Sequence, residues 1–169
     1  MAMGWTAEEK EEKRRLVEFE REQEDPILKV SFKLVDLDSR RPNSICVSCV
    51  WCEDNDETYI TSVDCIYLLE SLVGSRFTVE EKNRVRRNLE GFKPRTVSKR
   101  VKNRKQSDKT EEELKNDELF DVIMGFPDPK PRNIEKDIKV FPWKILPDAL
   151  KKVLSKFVSH TSHSWALRY

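Results

Sequence analysis

Histidine is almost missing from this chain. Only His160 and His163 occur, both near the C-terminus, so imidazole acid–base chemistry has little to draw on. Glycine is nearly as scarce, at four of 169 residues. There is no glycine-rich phosphate loop, no GxSxG elbow and no cysteine beside an evident base, so an enzyme is not expected. No apolar run approaches the ~20 residues of a membrane helix. The opening MAMGWTAEEKEEKRR also lacks the apolar core of a secretory signal. A soluble, intracellular protein without a membrane partner is expected. Net charge is scarce as well, since 32 Lys and Arg against 31 Asp and Glu leave +1. The length suits one domain with one core.

Four cysteines in such a setting suggest reduced thiols or metal ligands before disulfides. Cys46, Cys49, Cys52 and Cys65 are enough in number for a structural zinc site. Their setting argues against one. If residues 45–52 form a strand, Cys46 and Cys52 face one side and Cys49 the other, so three thiols do not converge. Buried cysteine acting as a small hydrophobe is the better reading, with no metal and no cofactor. The His160-x-x-His163 pair has no acidic or cysteine neighbour in sequence and reads as part of a flexible tail.

What the sequence does have is segregated charge. Between Ser71 and Thr110 stand 13 basic and 4 acidic residues, a net +9, which leaves −8 for the remainder. Attraction of a polyanion depends on nearby charge rather than on the chain total. A charge run is as a rule only a solvated loop. This one abuts helical elements of a particular kind.

Thr6-Ala-Glu-Glu9 has the form of a capping box, and the i,i+4 pairs Glu9–Lys13 and Glu11–Arg15 predict a mostly solvated helix from Ala7 to Gln23. The alternation Leu28, Val30, Phe32, Leu34 predicts a strand. Ile45 to Trp51 and Thr58 to Thr61 form two more around the polar turn Glu53–Asp56, as a hairpin on the first. Ser62 caps a buried helix from Val63 to Val73, stopped by Gly74. Thr78-Val-Glu-Glu81 opens a helix to Glu90, ended by Gly91. Residues 93–110 read as an exposed basic arm or wing. Thr110-Glu-Glu-Glu113 starts a helix through Met124, the prolines of 126–146 impose an extended segment, and a last helix runs from Pro147 to Val158.

A buried helix, a short turn with glycine and a second helix rich in Arg and Asn is the layout of a helix-turn-helix. At about 100° per residue, Val85 and Leu89 mark the buried side of the second helix. Asn83, Arg84 and Arg87 then point outward, flanked by Arg86 and Asn88. Arg can pair with guanine and Asn with adenine in the major groove. Lys93, Arg95, Lys99, Arg100 and Lys102, in the segment that follows, suit phosphates. An ordinary helical hairpin with a solvated face is the plain alternative.

Gly4-Trp5-Thr6, Pro42-Asn43-Ser44-Ile45, TSVDCIYLLE (61–70), FTVEEKNRVRRNLEGF (77–92), TVSK (96–99) and IMGFPDPKPRNIEKDIKVFPWKIL (123–146) resemble the domain of the Medusa-type fungal developmental regulators. The resemblance spans residues 4–158, and strings as long as KPRNIEKDIKVFPWK are far more specific than a short motif. It implies a nuclear transcription regulator of fungal development, with this domain as its sequence-specific DNA reader. Two stretches depart from the family pattern: 100–117 is more charged, and Cys46 and Cys52 stand where apolar residues are expected.

Taken together, these readings predict an α+β domain over residues 1–158, a small antiparallel sheet carrying a helix-turn-helix-like pair and flanking helices, with a flexible tail at 159–169. Its expected partners are double-stranded DNA and transcription co-regulators. The rival expectation is a protein-interaction module docking through the Pro-rich segment 126–143.

Overall fold

Strands rather than helices organise the first third of the chain. The computed structural model describes residues 4–24, 27–98, 110–127, 137–158 and 164–167. A one-turn helix, α1 (Ala7–Glu11), leads into β1 (Arg14–Glu24), β2 (Ile27–Val35), β3 (Ile45–Cys52) and β4 (Glu57–Thr61). Helices α2 (Ser62–Val73) and α3 (Val79–Glu90) follow, then β5 (Arg95–Ser98), α4 (Glu111–Gly125), β6 (Asp137–Pro142), α5 (Leu146–Val158) and β7 (Ser164–Leu167). One sheet takes all seven strands in the order β5-β6-β4-β3-β1-β2-β7. Six are antiparallel, and β7 adds parallel to β2. The fold is α+β, with a larger sheet than the sequence suggests.

The expected helix from Ala7 to Gln23 is overturned. The capping box forms, with Glu9 N–H donating to Thr6 Oγ1 at 3.2 Å and Thr6 N–H to Glu9 Oε2 at 2.9 Å. Lys13 then takes a left-handed φ of 53°, and its carbonyl accepts from Trp51 N–H at 3.0 Å. From there the chain is a strand between β2 and β3, and every residue from Arg14 to Phe19 is buried. The i,i+4 pairs are replaced by longer reaches. Glu9 accepts from Arg15 at 2.6 and 2.7 Å, while Lys13 lies 3.1 Å from Glu118 and 3.6 Å from Glu53. A strand buried on both faces carries no period of two, so local charge spacing dominated the sequence signal. One consequence is that the β3–β4 hairpin packs on β1, not on β2.

Alternation along the strands divides the core in two. Val17, Phe19, Val47, Cys49, Ile60 and Phe141 face a cluster completed by α2, α3 and α5, through Leu68, Leu72, Val85, Leu89, Leu150 and Val153. Val50, Cys52, Tyr59, Val97, Ile138 and Val140 face the other way, against Leu119, Phe120 and Ile123 of α4 and against Phe126. The sheet is thus a central layer, with α2, α3 and α5 on one face and α4 on the other.

Three smaller expectations change. Thr61, not Ser62, caps α2, accepting from Asp64 N–H at 3.0 Å. Part of the Pro-rich segment is an interior strand, since β6 lies between β4 and β5. Its aromatics Phe126, Phe141 and Trp143 are buried, so they are not free to form the docking surface that the rival reading needs. Residues 164–167 of the expected flexible tail form β7.

Candidate nucleic-acid interface

The α2–turn–α3 unit is held at both ends of its turn. Gly74 closes α2 at φ 79°, a conformation that glycine adopts without strain. The Glu70 carbonyl accepts from Gly74 N–H at 2.9 Å and Ser75 N–H at 3.2 Å. The Glu70 side chain reaches past the turn, taking the Phe77 amide at 2.7 Å and Lys82 Nζ at 3.1 Å. Phe77 is buried in the core beneath. Thr78 and Glu81 complete a reciprocal cap, with Glu81 N–H donating to Thr78 Oγ1 at 3.2 Å and Thr78 N–H to Glu81 Oε2 at 2.7 Å. The orphan amides at the start of α3 and the local charge of Glu81 are both satisfied there, which holds the Glu81 carboxyl below its ordinary pKa.

Val85 and Leu89 are fully buried, Asn83, Arg84 and Arg87 are exposed on the outer side, and Arg86 is exposed at its flank. Arg86 Nη1 donates to Asn83 Oδ1 at 3.0 Å, so these two side chains are joined on the exposed surface of the helix. Asn88 sits elsewhere. It is half-buried, donates through Nδ2 to the Arg84 carbonyl at 2.9 Å, and accepts Lys156 Nζ of α5 at 2.6 Å through Oδ1. Its carbonyl takes Lys152 Nζ at 3.3 Å. Asn88 therefore fastens α3 to α5 instead of presenting an amide to a groove.

The basic segment is also redistributed. Lys93 is exposed, at a left-handed φ of 53°. Arg95 begins β5, an edge strand rather than an aperiodic arm, and its register partner Val140 belongs to the α4 side of the sheet. Arg95 Nε donates to Asn116 Oδ1 of α4 at 2.6 Å, and Nη1 lies 3.9 Å from Cys52 Sγ. The guanidinium is thus turned away from α3, and its role is to join β5 to α4. Lys99, Arg100 and Lys102 lie outside the described residues.

Lysines of α5 supply basic surface that sequence reasoning missed. Lys151, Lys152 and Lys156 are exposed, and Lys152 Nζ lies 5.0 Å from the Phe92 ring centre. Their spacing opposite the Leu150, Val153 and Leu154 stripe marks them as solvent-facing. Only the packing of α5 on α3, where Lys152 and Lys156 reach Asn88, shows that these two continue the Arg84–Arg87 surface. Across the sheet the sign reverses. Glu111, Asp117, Glu118 and Asp121 of α4, with Asp54, line a shallow depression whose one cation is Lys115. A molecule with one basic and one acidic face turns the basic face toward a polyanion.

The cysteines follow strand alternation. Cys49 and Cys65 belong to one core cluster and Cys52 to the other. Burial pushes the Cys49 thiol up to about 12 and raises those of Cys46 and Cys65, which leaves them protonated near neutrality. Among the described residues no three His, Cys, Asp or Glu side chains are grouped so as to hold a metal ion. His160 and His163 lie outside the described residues. No described helix is long and apolar enough to cross a membrane.

Residues 1–154 match a protein family described as Domain of unknown function (DUF7082). No curated protein and no solved structure matches the chain.

Proposed function

The chain belongs to the DUF7082 domain family, and we propose that it is a non-catalytic, sequence-specific reader of duplex DNA that lays α3 in the major groove. The observation that carries the reading is the exposed face of α3. Asn83, Arg84, Arg86 and Arg87 stand on a helix fixed by a buried side, a clamped turn and a reciprocal cap. A helix held this firmly loses little conformational freedom on docking, and its side chains are of the types that read base edges. The phosphate contacts are assigned to Lys93, Lys151, Lys152 and Lys156 around that helix, joined by Lys99, Arg100 and Lys102 of the segment after β5. Asn88 is withdrawn from the DNA-contacting set because both its amide nitrogen and its amide oxygen are engaged within the fold, whereas an ammonium such as that of Lys156 carries three donors. Arg95 is withdrawn because its guanidinium faces α4 on the other side of the sheet.

With the Medusa-type resemblance, this reading extends to a nuclear transcription regulator of fungal development that works with co-regulator proteins. The test is selection of bound sequences from a random duplex pool, followed by mobility shifts at several salt concentrations. A recurring motif and a log K against log salt slope of about −4 to −5, corresponding to about five neutralised phosphates, are expected. No enrichment and a flat salt dependence reject the reading.

A further inference from the structure

Among the described residues, an open stretch of sheet edge lies on β2. β7 covers only Ile27–Val30 of β2. Ser31–Val35 pair with β1 on one side and, among the described residues, with no strand on the other. Phe32 and Leu34 project to one face there and are 43% and 50% exposed. The Phe32 ring centre lies 5.9 Å from that of Phe19, whose register partner on β3 is Ile45, so the apolar surface runs inward from the edge. Exposed apolar strand edges template pairing with another chain unless something covers them.

We propose that this edge joins the same edge of a second copy of the chain, antiparallel, about a two-fold axis through Lys33. The register follows from what is free. Centring on Phe32 would need Val30, which β7 occupies. Centring on Leu34 would leave Ser31 and Phe32 without strand partners. Centring on Lys33 uses the whole stretch that is free among the described residues, setting Phe32 against Leu34 of the second copy, Leu34 against its Phe32, and Ser31 against its Val35. Aromatic–aliphatic pairs directly across strands are favourable, and a two-fold contact must be self-complementary in this way.

The other face meets the same requirement in charge. There the two Lys33 side chains approach at the axis, which alone would repel. Each ammonium already lies 3.0 Å from Glu20 Oε1 and 3.5 Å from Glu18 Oε1 of its own chain, and Arg41 pairs with the same two carboxylates. Two carboxylates and two cations per copy make a neutral row, so joining two rows adds no net charge. A basic or acidic foreign strand would unbalance it, which favours a second copy as the occupant.

The inference is independent of DNA binding and is tested on the full chain by sedimentation equilibrium from micromolar to several hundred micromolar. A monomer–dimer equilibrium is expected, with Leu34→Lys raising its dissociation constant by about tenfold or more while the thermal melt stays in place, because Leu34 is half-exposed. Ser31→Cys combined with Val35→Cys sets a thiol of one copy directly across from a thiol of the other and leaves the Lys33 row intact, so a copper–phenanthroline oxidant should yield a covalent dimer that dithiothreitol reverses. Ser98→Cys, on the strand at the far end of the sheet, should yield none. A chain that stays monomeric throughout, a dimer that survives Leu34→Lys, or a dimer that the Ser31→Cys, Val35→Cys pair does not cross-link overturns the proposal.

Discussion

Glu70 holds the Phe77 amide. The carboxylate at the end of α2 accepts that N–H at 2.7 Å across the turn, so the last turn of one helix fixes where the next begins. Three residues before it, Gly74 has already reversed the chain, at a place where a side chain would run into the Arg21 guanidinium of β1. The turn between α2 and α3 is thus tied to α2 and packed on the core through Phe77, which sets the direction in which α3 presents its outer face.

Removing that tie has a definite cost. Glu70→Ala leaves the part-buried Phe77 amide without its acceptor and is expected to destabilise the fold by about 1–3 kcal/mol in urea unfolding. Lys82→Ala removes only a partly exposed ion pair and should cost less than about 1 kcal/mol. Equal costs for the two would mean that the amide bond is not what holds the turn.

Under the same helix, Leu89 and Val85 are fully buried. Leu89→Ala should destabilise by about 2–5 kcal/mol, through lost transfer energy and the cavity left behind. Arg87→Ala, on the exposed side, should change stability by no more than about 0.5 kcal/mol. Chemical denaturation of both variants checks the inside and outside of α3 without any ligand.

Elements with a local signature are the ones legible in the sequence. Capping boxes at Thr6, Thr78 and Thr110 all form, and the alternation of β2 and the apolar stripe of α5 are read correctly. β1 is misread because it is central: Leu16 and Glu18 are buried on one face and Val17 and Phe19 on the other, so no alternation survives. β5 is four residues long, too short to show a period, and β7 is defined only by pairing with β2. The same division applies to the candidate interface. The outer face of α3 follows from its own wheel, whereas the inward turn of Arg95 toward Asn116 and the meeting of Lys156 with Asn88 are tertiary facts.

Asp64 gives the fold a pH dependence of unusual sign for a carboxylate. Burial raises its pKa to about 6 from an ordinary 3.8, against the opposing pull of the Thr61 hydroxyl, 3.0 Å away, and of Arg14. Between about pH 4 and 6 the folded carboxyl keeps a proton that the unfolded one has lost. Its contribution to stability is therefore greatest at or below pH 4, declines as pH rises to 6, and settles at a cost of up to about 3 kcal/mol above that. Asp64→Asn keeps the shape and removes the titration. The stability of the variant relative to the parent should be higher at pH 7 than at pH 4.5 by a large part of that amount. A difference that is flat across this range contradicts the burial argument.

Three substitutions separate reading bases, holding phosphate and holding the fold. Arg87 is exposed at the centre of the outer face of α3, so Arg87→Ala should cost about 1–3 kcal/mol on the selected sequence, relax base choice at one position and leave random DNA nearly unaffected. Lys156 stands beside α3 on α5, where the proposed docking puts backbone phosphate rather than a base edge. Lys156→Ala should weaken both kinds of DNA alike and make the salt slope shallower by about 1. Arg95 lies on the other side of the sheet, bonded to Asn116. Arg95→Ala should lower stability by about 1–3 kcal/mol and leave the salt slope as it was. Mobility shifts on specific and random duplexes, paired with a thermal melt for each variant, give all three readouts. If Arg87→Ala and Lys156→Ala act identically on both duplexes, α3 is not the reader. If Arg95→Ala flattens the salt slope without touching the melt, the basic surface lies on the α4 side and the assignment of faces is reversed.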